Sequence, residues 1–218
     1  TGSDNGVWVW DAVTGKGLVS LECGHVVESV SWSPDGRRIV TSSTFDDLRV
    51  WDAVTGKELL SLECSRGVKS VSWSPDGRRI VTSSTFDDLR VWDAVTGKEL
   101  LSLECSRGVK SVSWSPDGRR IVTSSTFDDL RVWDDVTEGN VLSVERGHVV
   151  ESVSWSPDGR CIVASSVGDA QVWDAVTGKE LLSLERGRGV ESVSWSPDGR
   201  RIATGSDNGV WVWDAVTG

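Results

Sequence analysis

The dipeptide Trp-Asp recurs along this chain at a nearly constant interval. It occurs at Trp10-Asp11, Trp51-Asp52, Trp92-Asp93, Trp133-Asp134, Trp173-Asp174 and Trp213-Asp214, with steps of 41, 41, 41, 40 and 40 residues. The hexapeptide Ser-Trp-Ser-Pro-Asp-Gly keeps the same interval, with its tryptophans at Trp32, Trp73, Trp114, Trp155 and Trp195. A fixed period of this length indicates a repeat architecture, in which each unit buries its apolar faces only against its neighbours.

The period divides the 218 residues into one continuous array, and we predict a single domain over 1–218. The units are 1–40, 41–81, 82–122, 123–163 and 164–203, and residues 204–218 repeat residues 1–15 letter for letter. Units 41–81 and 82–122 are identical. Such identity indicates recent amplification or engineering of the array.

One unit contains the signals of four short strands. Residues 27–33, 38–42, 48–52 and 58–63 are rich in β-branched, aromatic and leucine side chains, and the turn sequences Pro34-Asp35-Gly36 and Thr55-Gly56 separate them. A four-stranded antiparallel meander is too small to be stable alone, so both of its faces must be covered by neighbouring sheets. We predict that the Trp of Trp-Asp and the Trp of Ser-Trp-Ser fill the space between sheets, which accounts for all tryptophans except Trp8 and Trp211.

These motifs resemble those of a WD-repeat β-propeller over the whole chain. The resemblance implies an all-β fold of four-stranded antiparallel blades around a central channel, with about five repeats, and a non-catalytic binding platform. The family often has a Gly-His pair before the first strand and a Ser or Thr in the second, which form hydrogen bonds toward the Trp indole. The pair survives only as Gly24-His25 and Gly147-His148. We therefore expect the full polar network to be missing in at least three blades.

The duplicated ends leave the closure of the ring open. Residues 17–22 could add a fourth strand to a final blade built from 190–214, which would remove an exposed sheet edge. The third strands 6–11 and 209–214 would then compete for one position. The alternatives are a five-bladed ring with one copy displaced, a homo-oligomer whose chains share strands at their termini, and a window of a longer array. We expect a ring with both termini in the closing blade.

Charge and apolar runs disfavour two classes of partner. The net charge is −10, whereas nucleic acid and anionic membrane surfaces attract clustered positive charge. No apolar run approaches the roughly 18 residues of a membrane span. We therefore expect neither nucleic acid nor membrane as a partner.

The four cysteines indicate a reducing compartment. Cys23, Cys64 and Cys105 occupy one repeat position, so they are a whole unit apart, beyond the roughly 7 Å that a disulfide spans between Cα atoms. Cys161 stands where the other units have Arg38, Arg79, Arg120 and Arg201. No spacing resembles a zinc site. We expect free thiols and a cytoplasmic location.

The sequence contains no motif of catalysis. Nucleophile elbow, phosphate loop and metal-spaced His cluster are all absent from it, so we predict no enzyme activity, cofactor or metal. The candidate binding residues are Phe45, Phe86 and Phe127, in the turn between second and third strands. The resemblance implies that this turn shares one rim with the loop carrying Arg66, Arg107 and Arg188. Exposed aromatic residues beside arginines are typical of interface hot spots. The alternative is that the Phe side chains pack between blades.

Two functions therefore remain open. The first is a protein-interaction module that binds a protein or peptide on one rim, as the sensing part of a larger signalling protein. The second is an engineered or recently amplified structural repeat without an evolved ligand. Sugar binding is a third reading, disfavoured because no exposed Trp recurs outside the core positions.

Overall fold

The computed structural model describes residues 2–3, 6–43, 48–64, 67–84, 89–103, 105, 108–126, 129–134, 140–145, 149–166, 168–184 and 189–218. Within these ranges the regular elements are β-strands, and no helix occurs. The chain forms two compact units, Thr1–Cys105 and Ser106–Gly218.

The first unit contains three antiparallel sheets. The first sheet has the order β1 (Gly2–Ser3), β2 (Gly6–Trp10) and β3 (Gly17–Glu22). The second is β4 (Val27–Trp32), β5 (Arg38–Ser43), β6 (Leu48–Asp52) and β7 (Glu58–Leu62). The third is β8 (Val68–Trp73), β9 (Arg79–Ser84), β10 (Leu89–Asp93) and β11 (Glu99–Leu103).

The second unit also contains three antiparallel sheets. Its first is β12 (Val109–Trp114), β13 (Arg120–Ser125), β14 (Asp129–Asp134) and β15 (Asn140–Glu145). Its second is β16 (Val150–Trp155), β17 (Cys161–Ser166), β18 (Ala170–Asp174) and β19 (Glu180–Leu184). Its third has the order β20 (Val190–Trp195), β21 (Arg201–Ser206) and β22 (Gly209–Asp214).

The predicted meander is confirmed. The strands expected at 27–33, 38–42, 48–52 and 58–63 differ from β4–β7 by no more than one residue at either end. Within each sheet, every strand pairs with the next along the chain, because the turns between them are short.

The second strand of each complete sheet is buried on both faces. On β5, Ile39 packs against Val7 of the preceding sheet, and its neighbour Val40 packs against Val71 and Trp73 of the following one. Successive side chains of a strand point to opposite faces, so one strand contributes to two cores. Full burial of a Val or Ile side chain contributes roughly 1.5–3 kcal/mol. Face-to-face packing of sheets is thus the main source of stability within each unit.

Of the eleven predicted tryptophan fillers, six are buried, two are exposed, and Trp173, Trp195 and Trp213 are half-buried. Six of them are no more than 5% exposed, namely Trp51, Trp73, Trp92, Trp114, Trp133 and Trp155. Trp10 and Trp32, however, are 50% and 49% exposed, so that part of the prediction is wrong. Trp73 is covered by the first strand of the preceding sheet, whose Ser31 carbonyl accepts its indole N–H at 3.2 Å. The sheet before Trp32 contains no such first strand.

The two ends of the chain form separate sheets, contrary to the expected sharing of one closing blade. Strand β3 pairs with β2, not with β22. A hairpin of six residues joins β2 to β3. Pairing between strands so close in the chain loses less chain entropy than pairing between distant strands. In the described part of the chain, β20–β22 therefore form a sheet without a fourth strand.

Candidate binding surfaces

The Trp of Trp-Asp is fixed by a threonine on the second strand of its own sheet. The indole Nε1 donates to threonine Oγ1 in four sheets: Trp51 to Thr41 at 2.9 Å, Trp92 to Thr82 at 3.0 Å, Trp133 to Thr123 at 3.1 Å and Trp213 to Thr204 at 2.9 Å. This bond forms whether or not a Gly-His pair precedes the first strand. In the sheet of Trp173 the corresponding residue is Ala164, which has no hydroxyl to accept it.

The Asp of Trp-Asp closes the following turn. Oδ1 of Asp52 accepts the backbone N–H of Val54 at 3.1 Å and both the N–H and the hydroxyl of Thr55, each at 2.7 Å. These bonds, led by the one from the Thr55 backbone, hold the pKa of the Asp52 carboxyl below its ordinary value. The carboxylate is therefore occupied by local turn contacts, and its role is structural.

The aspartate of Ser-Pro-Asp-Gly has a comparable role. The Ser33 hydroxyl donates to Oδ1 of Asp35 at 2.6 Å, and the backbone N–H of Arg37 donates to the same atom at 3.0 Å. The Ser33 contact is the main reason that the pKa of Asp35 lies below its ordinary value. Both carboxylates that recur in each unit thus stabilise turns.

An arginine joins one sheet to the next within the first unit. The Arg38 guanidinium lies 4.7 Å from the centre of the Trp73 ring. Its Nη1 donates to the Ala94 carbonyl at 3.0 Å and its Nη2 to the Gly77 carbonyl at 2.9 Å. One side chain therefore contacts three points of the following sheet, combining a cation–π contact with two charge-assisted hydrogen bonds.

The second unit repeats this arginine contact once and lacks it once. Arg120 lies 4.9 Å from the Trp155 ring and donates to the Ala175 and Gly159 carbonyls, each at 3.2 Å. At the next junction, Cys161 occupies the arginine position. Burial raises the pKa of the Cys161 thiol, which disfavours a reactive thiolate.

Charge pairs connect the first strands of neighbouring sheets. Lys69 Nζ lies 2.8 Å from Glu28 Oε1, and Lys110 pairs with Glu151 in the same way. Residue 191, which occupies the same repeat position, is an exposed Glu. Each pair is partly exposed, so it contributes little stability and instead favours one neighbour over another.

The candidate residues Phe45, Phe86, Phe127, Arg66, Arg107 and Arg188 lie outside the described residues, as does His148. His25 is described and exposed. Among the residues that the structure describes, no cluster of His, Cys, Asp or Glu could hold a metal ion. The four cysteines are free thiols. No helix of the described ranges is long and apolar enough to cross a membrane.

Sequence reasoning missed two exposed apolar faces. The first, on β2 and β4, forms a groove of about 200 Å³ lined by Trp8, Trp10, Val30 and Trp32. The second, on β22, presents Val210 and Val212, which are 74% and 63% exposed. The exact duplication of residues 1–15 as 204–218 was the signal that could have located both, because it marks the two incomplete sheets.

A periodic all-β chain whose four-stranded sheets pack through tryptophans is a repeat protein of the β-propeller class. The family profile described as WD domain, G-beta repeat (WD40), matches residues 97–134, 139–174 and 178–214, which together make up just over half of the chain. The chain belongs to the WD40-repeat family, and its sheets are blades of that fold. WD40 domains are generally non-catalytic scaffolds that bind proteins or peptides.

A second profile, that of Eukaryotic translation initiation factor eIF2A, matches residues 27–91. This stretch covers less than a third of the chain. A search of curated proteins found no match.

Proposed function

We propose that the chain is a non-catalytic scaffold that binds a protein or peptide at one end of its blades, as the sensing module of a larger signalling protein. The binding residues we assign are Phe45, Phe86, Phe127, Arg66, Arg107 and Arg188. Membership of the WD40 family supports the scaffold role. The particular surface is supported by the arrangement of the strands.

Strand pairing carries the assignment. In the blade β4–β7, Val27 pairs with Ser43 and Leu48 pairs with Leu62, so the segments 44–47 and 63–67 start from the same end of the sheet. Phe45 and Arg66 belong to these two segments. In the blade β8–β11 the pairs Val68–Ser84 and Leu89–Leu103 relate Phe86 and Arg107 in the same way.

The second unit repeats this relationship. The pairs Val109–Ser125 and Leu130–Val144 define the end of the blade β12–β15 from which the segment with Phe127 starts. The pair Ala170–Leu184 defines the corresponding end of the next blade, where the segment with Arg188 follows β19. A Phe and an Arg in segments that start from the same end of a blade suit a partner with apolar and acidic side chains.

The opposite end of the blades offers a matched control. Its turns expose Val54, Val95 and Val176 by 79%, 69% and 75%. Peptides selected from a display library against the immobilised chain would be measured on two triple variants, Phe45→Ser/Phe86→Ser/Phe127→Ser and Val54→Ser/Val95→Ser/Val176→Ser. We expect the Phe variant to weaken binding at least tenfold at an unchanged unfolding midpoint, and the Val variant to bind normally.

The opposite outcome would contradict the proposal. A Phe variant that unfolds more easily but binds the selected peptides as before would show that these side chains pack between blades. The alternative function, a structural repeat without an evolved ligand, is favoured by the identity of units 41–81 and 82–122. It predicts that the selection enriches no peptide.

We also propose a cytoplasmic location, because four free thiols suit a reducing compartment. Fluorescence microscopy of a tagged full-length protein tests this, and accumulation in an oxidising compartment would contradict it.

A further inference from the structure

We propose that this chain associates head to tail with a second copy of itself: β20 and β21 of one copy complete the incomplete sheet β1–β3 of another. This interface is separate from the partner surface proposed above. It rests on two open faces that are the two halves of an interface already present inside each unit.

The first open face, which we call the head face, contains Val30 and Trp32 on β4. These side chains are 38% and 49% exposed, whereas their repeat equivalents Val71 and Trp73 are each 5% exposed. The equivalents are covered by the first strand of the preceding sheet, where Ser31 accepts the Trp73 indole N–H. The head face is therefore shaped to receive a first strand.

The second open face, which we call the tail face, belongs to the sheet β20–β22. Val210 and Val212 are 74% and 63% exposed, whereas their repeat equivalents Leu48 and Val50 are fully buried against the next sheet. Arg201, the equivalent of Arg38, is also exposed. In the shared sheet, Val7 and Val9 of the other copy take the positions of Val210 and Val212, and β20, β21 and Arg201 cover the head face.

The edge of β2 already pairs with β1 in the register that the proposed contact requires. Gly2 pairs with Val7 and Ser3 with Gly6. Gly205 pairs with Val210 and Ser206 with Gly209 in the same positions of the repeat. Strand β21 of a second copy can therefore replace the two-residue β1 and extend its pairing along β2.

Strands β2 and β22 occupy the same position of the repeat, so only one of them can pair with β21 in the shared sheet. Burial favours β2. Val7 and Val9 are 2% and 7% exposed because they pack against the sheet β4–β7. Release of β22 instead removes from the sheet the largely exposed Val210 and Val212. The shared sheet has the order β20–β21 from one copy and β2–β3 from the other.

Known contacts of the repeat then form across the junction. Thr204 Oγ1, which accepts the Trp213 indole within its own chain, accepts that of Trp10. Arg201 covers Trp32 as Arg38 covers Trp73. Its carbonyl acceptors are those of Gly36 and Ala53, the equivalents of Gly77 and Ala94.

Such an interface is heterologous, because different surfaces of the two copies meet. Each copy carries one head face and one tail face, so association continues until a ring closes or a chain of copies extends. Sedimentation velocity of the 218-residue protein should show species that grow from monomer with concentration. A monomer at every concentration up to the millimolar range would overturn the proposal.

A complementation experiment tests the direction of the contact. Trp32→Glu blocks the head face and leaves the tail face intact, and Arg201→Glu does the reverse. Each variant should be monomeric alone, and an equimolar mixture should form a dimer and nothing larger. Arg200→Glu, on an exposed neighbouring residue, is the matched control and should associate like the unaltered chain. A mixture that stays monomeric, or self-association of Arg201→Glu alone, would contradict head-to-tail docking.

A substitution that strengthens self-association tests the proposal without lowering the stability of the folded chain. Lysine and glutamate pair at the first-strand position in both units, at Lys69–Glu28 and Lys110–Glu151. The proposed junction brings Glu191 beside Glu28, two like charges. Glu191→Lys should therefore lower the dissociation constant of the self-associated protein severalfold at low salt, with Glu191→Gln in between. Weaker association of Glu191→Lys than of Glu191→Gln would contradict this junction.

Discussion

The indole Nε1 of Trp51 donates a 2.9 Å hydrogen bond to Oγ1 of Thr41, ten residues earlier and on the adjacent strand. Trp51 is 5% exposed, so the bond satisfies a polar group inside the core. The same pairing in the sheets of Trp92, Trp133 and Trp213 makes it the repeated internal contact of the blade.

Removal of the acceptor should destabilise the first unit. Thr82→Val keeps the side-chain shape and leaves the buried Trp92 indole N–H without its 3.0 Å partner. We expect the free energy of unfolding to fall by about 1–3 kcal/mol, the usual cost of such a group. Urea unfolding measures it. Thr82→Ser retains the hydroxyl and should lose less, so equal losses from the two variants would contradict this account.

The reverse change should stabilise the second unit. Ala164 occupies the threonine position beside Trp173, and Thr fits this position in four other sheets. Ala164→Thr should raise the free energy of unfolding by about 0.5–1.5 kcal/mol, the net value of one hydrogen bond. A lowered urea midpoint would show instead that the added methyl group does not fit there.

The missing arginine contact can be restored. Cys161→Arg should place a guanidinium over Trp195, with the carbonyls of Gly199 and Ala215 as acceptors, as Arg120 does at the junction before it. We expect a gain of about 1 kcal/mol, the scale of one net hydrogen bond. Arg120→Cys is the reciprocal variant and should lose a similar amount in thermal or urea unfolding.

Gly97 tests the contact between its turn and the preceding sheet. Its φ is 72°, and a Cβ there would lie 2.6 Å from Cδ2 of Leu62. Gly15 has a φ of 68° in the equivalent turn, with nothing within 4 Å of that position. Gly97→Ala should therefore cost more than Gly15→Ala, whose backbone strain alone is worth roughly 1 kcal/mol. Equal losses in urea unfolding would show that Leu62 moves aside freely.

Acid should weaken the fold through the turn carboxylates. The Thr55 contacts hold the pKa of Asp52 below its ordinary value of 3.8, and the corresponding Thr96 contacts do the same for Asp93. A lowered folded-state pKa gives stability that is complete above the unfolded value and is lost as pH falls through the folded value. The urea midpoint should thus be flat near neutrality and decline below about pH 4. Asp93→Asn keeps an oxygen acceptor and should make the decline shallower.

Strand positions were predictable because turn chemistry and the repeat period both mark them. The Pro34-Asp35-Gly36 turn and the Trp51-Asp52 pair set the boundaries of β4–β7 within one residue. Burial of Trp51 and Trp73 also followed from their repeat positions.

Burial at Trp10 and Trp32 was not predictable from the repeat alone. Burial of these residues depends on which strands precede them, and residues 1–15 and 204–218 give identical local signals. The Arg38 contact was also missed, although the recurrence of Arg at positions 38, 79, 120 and 201 was visible. Sequence spacing does not show that such an arginine reaches carbonyl groups 39 and 56 residues further along the chain.

The atoms that accept hydrogen bonds from Arg38 are main-chain carbonyl oxygens of the following sheet. Any unit with the same turn geometry supplies them, whatever side chains it carries elsewhere. A unit can therefore be copied or removed as a whole without compensating substitutions at its borders. Gene duplication and unequal recombination could in this way change the length of the array and keep this contact at each junction that has an arginine at the position of Arg38.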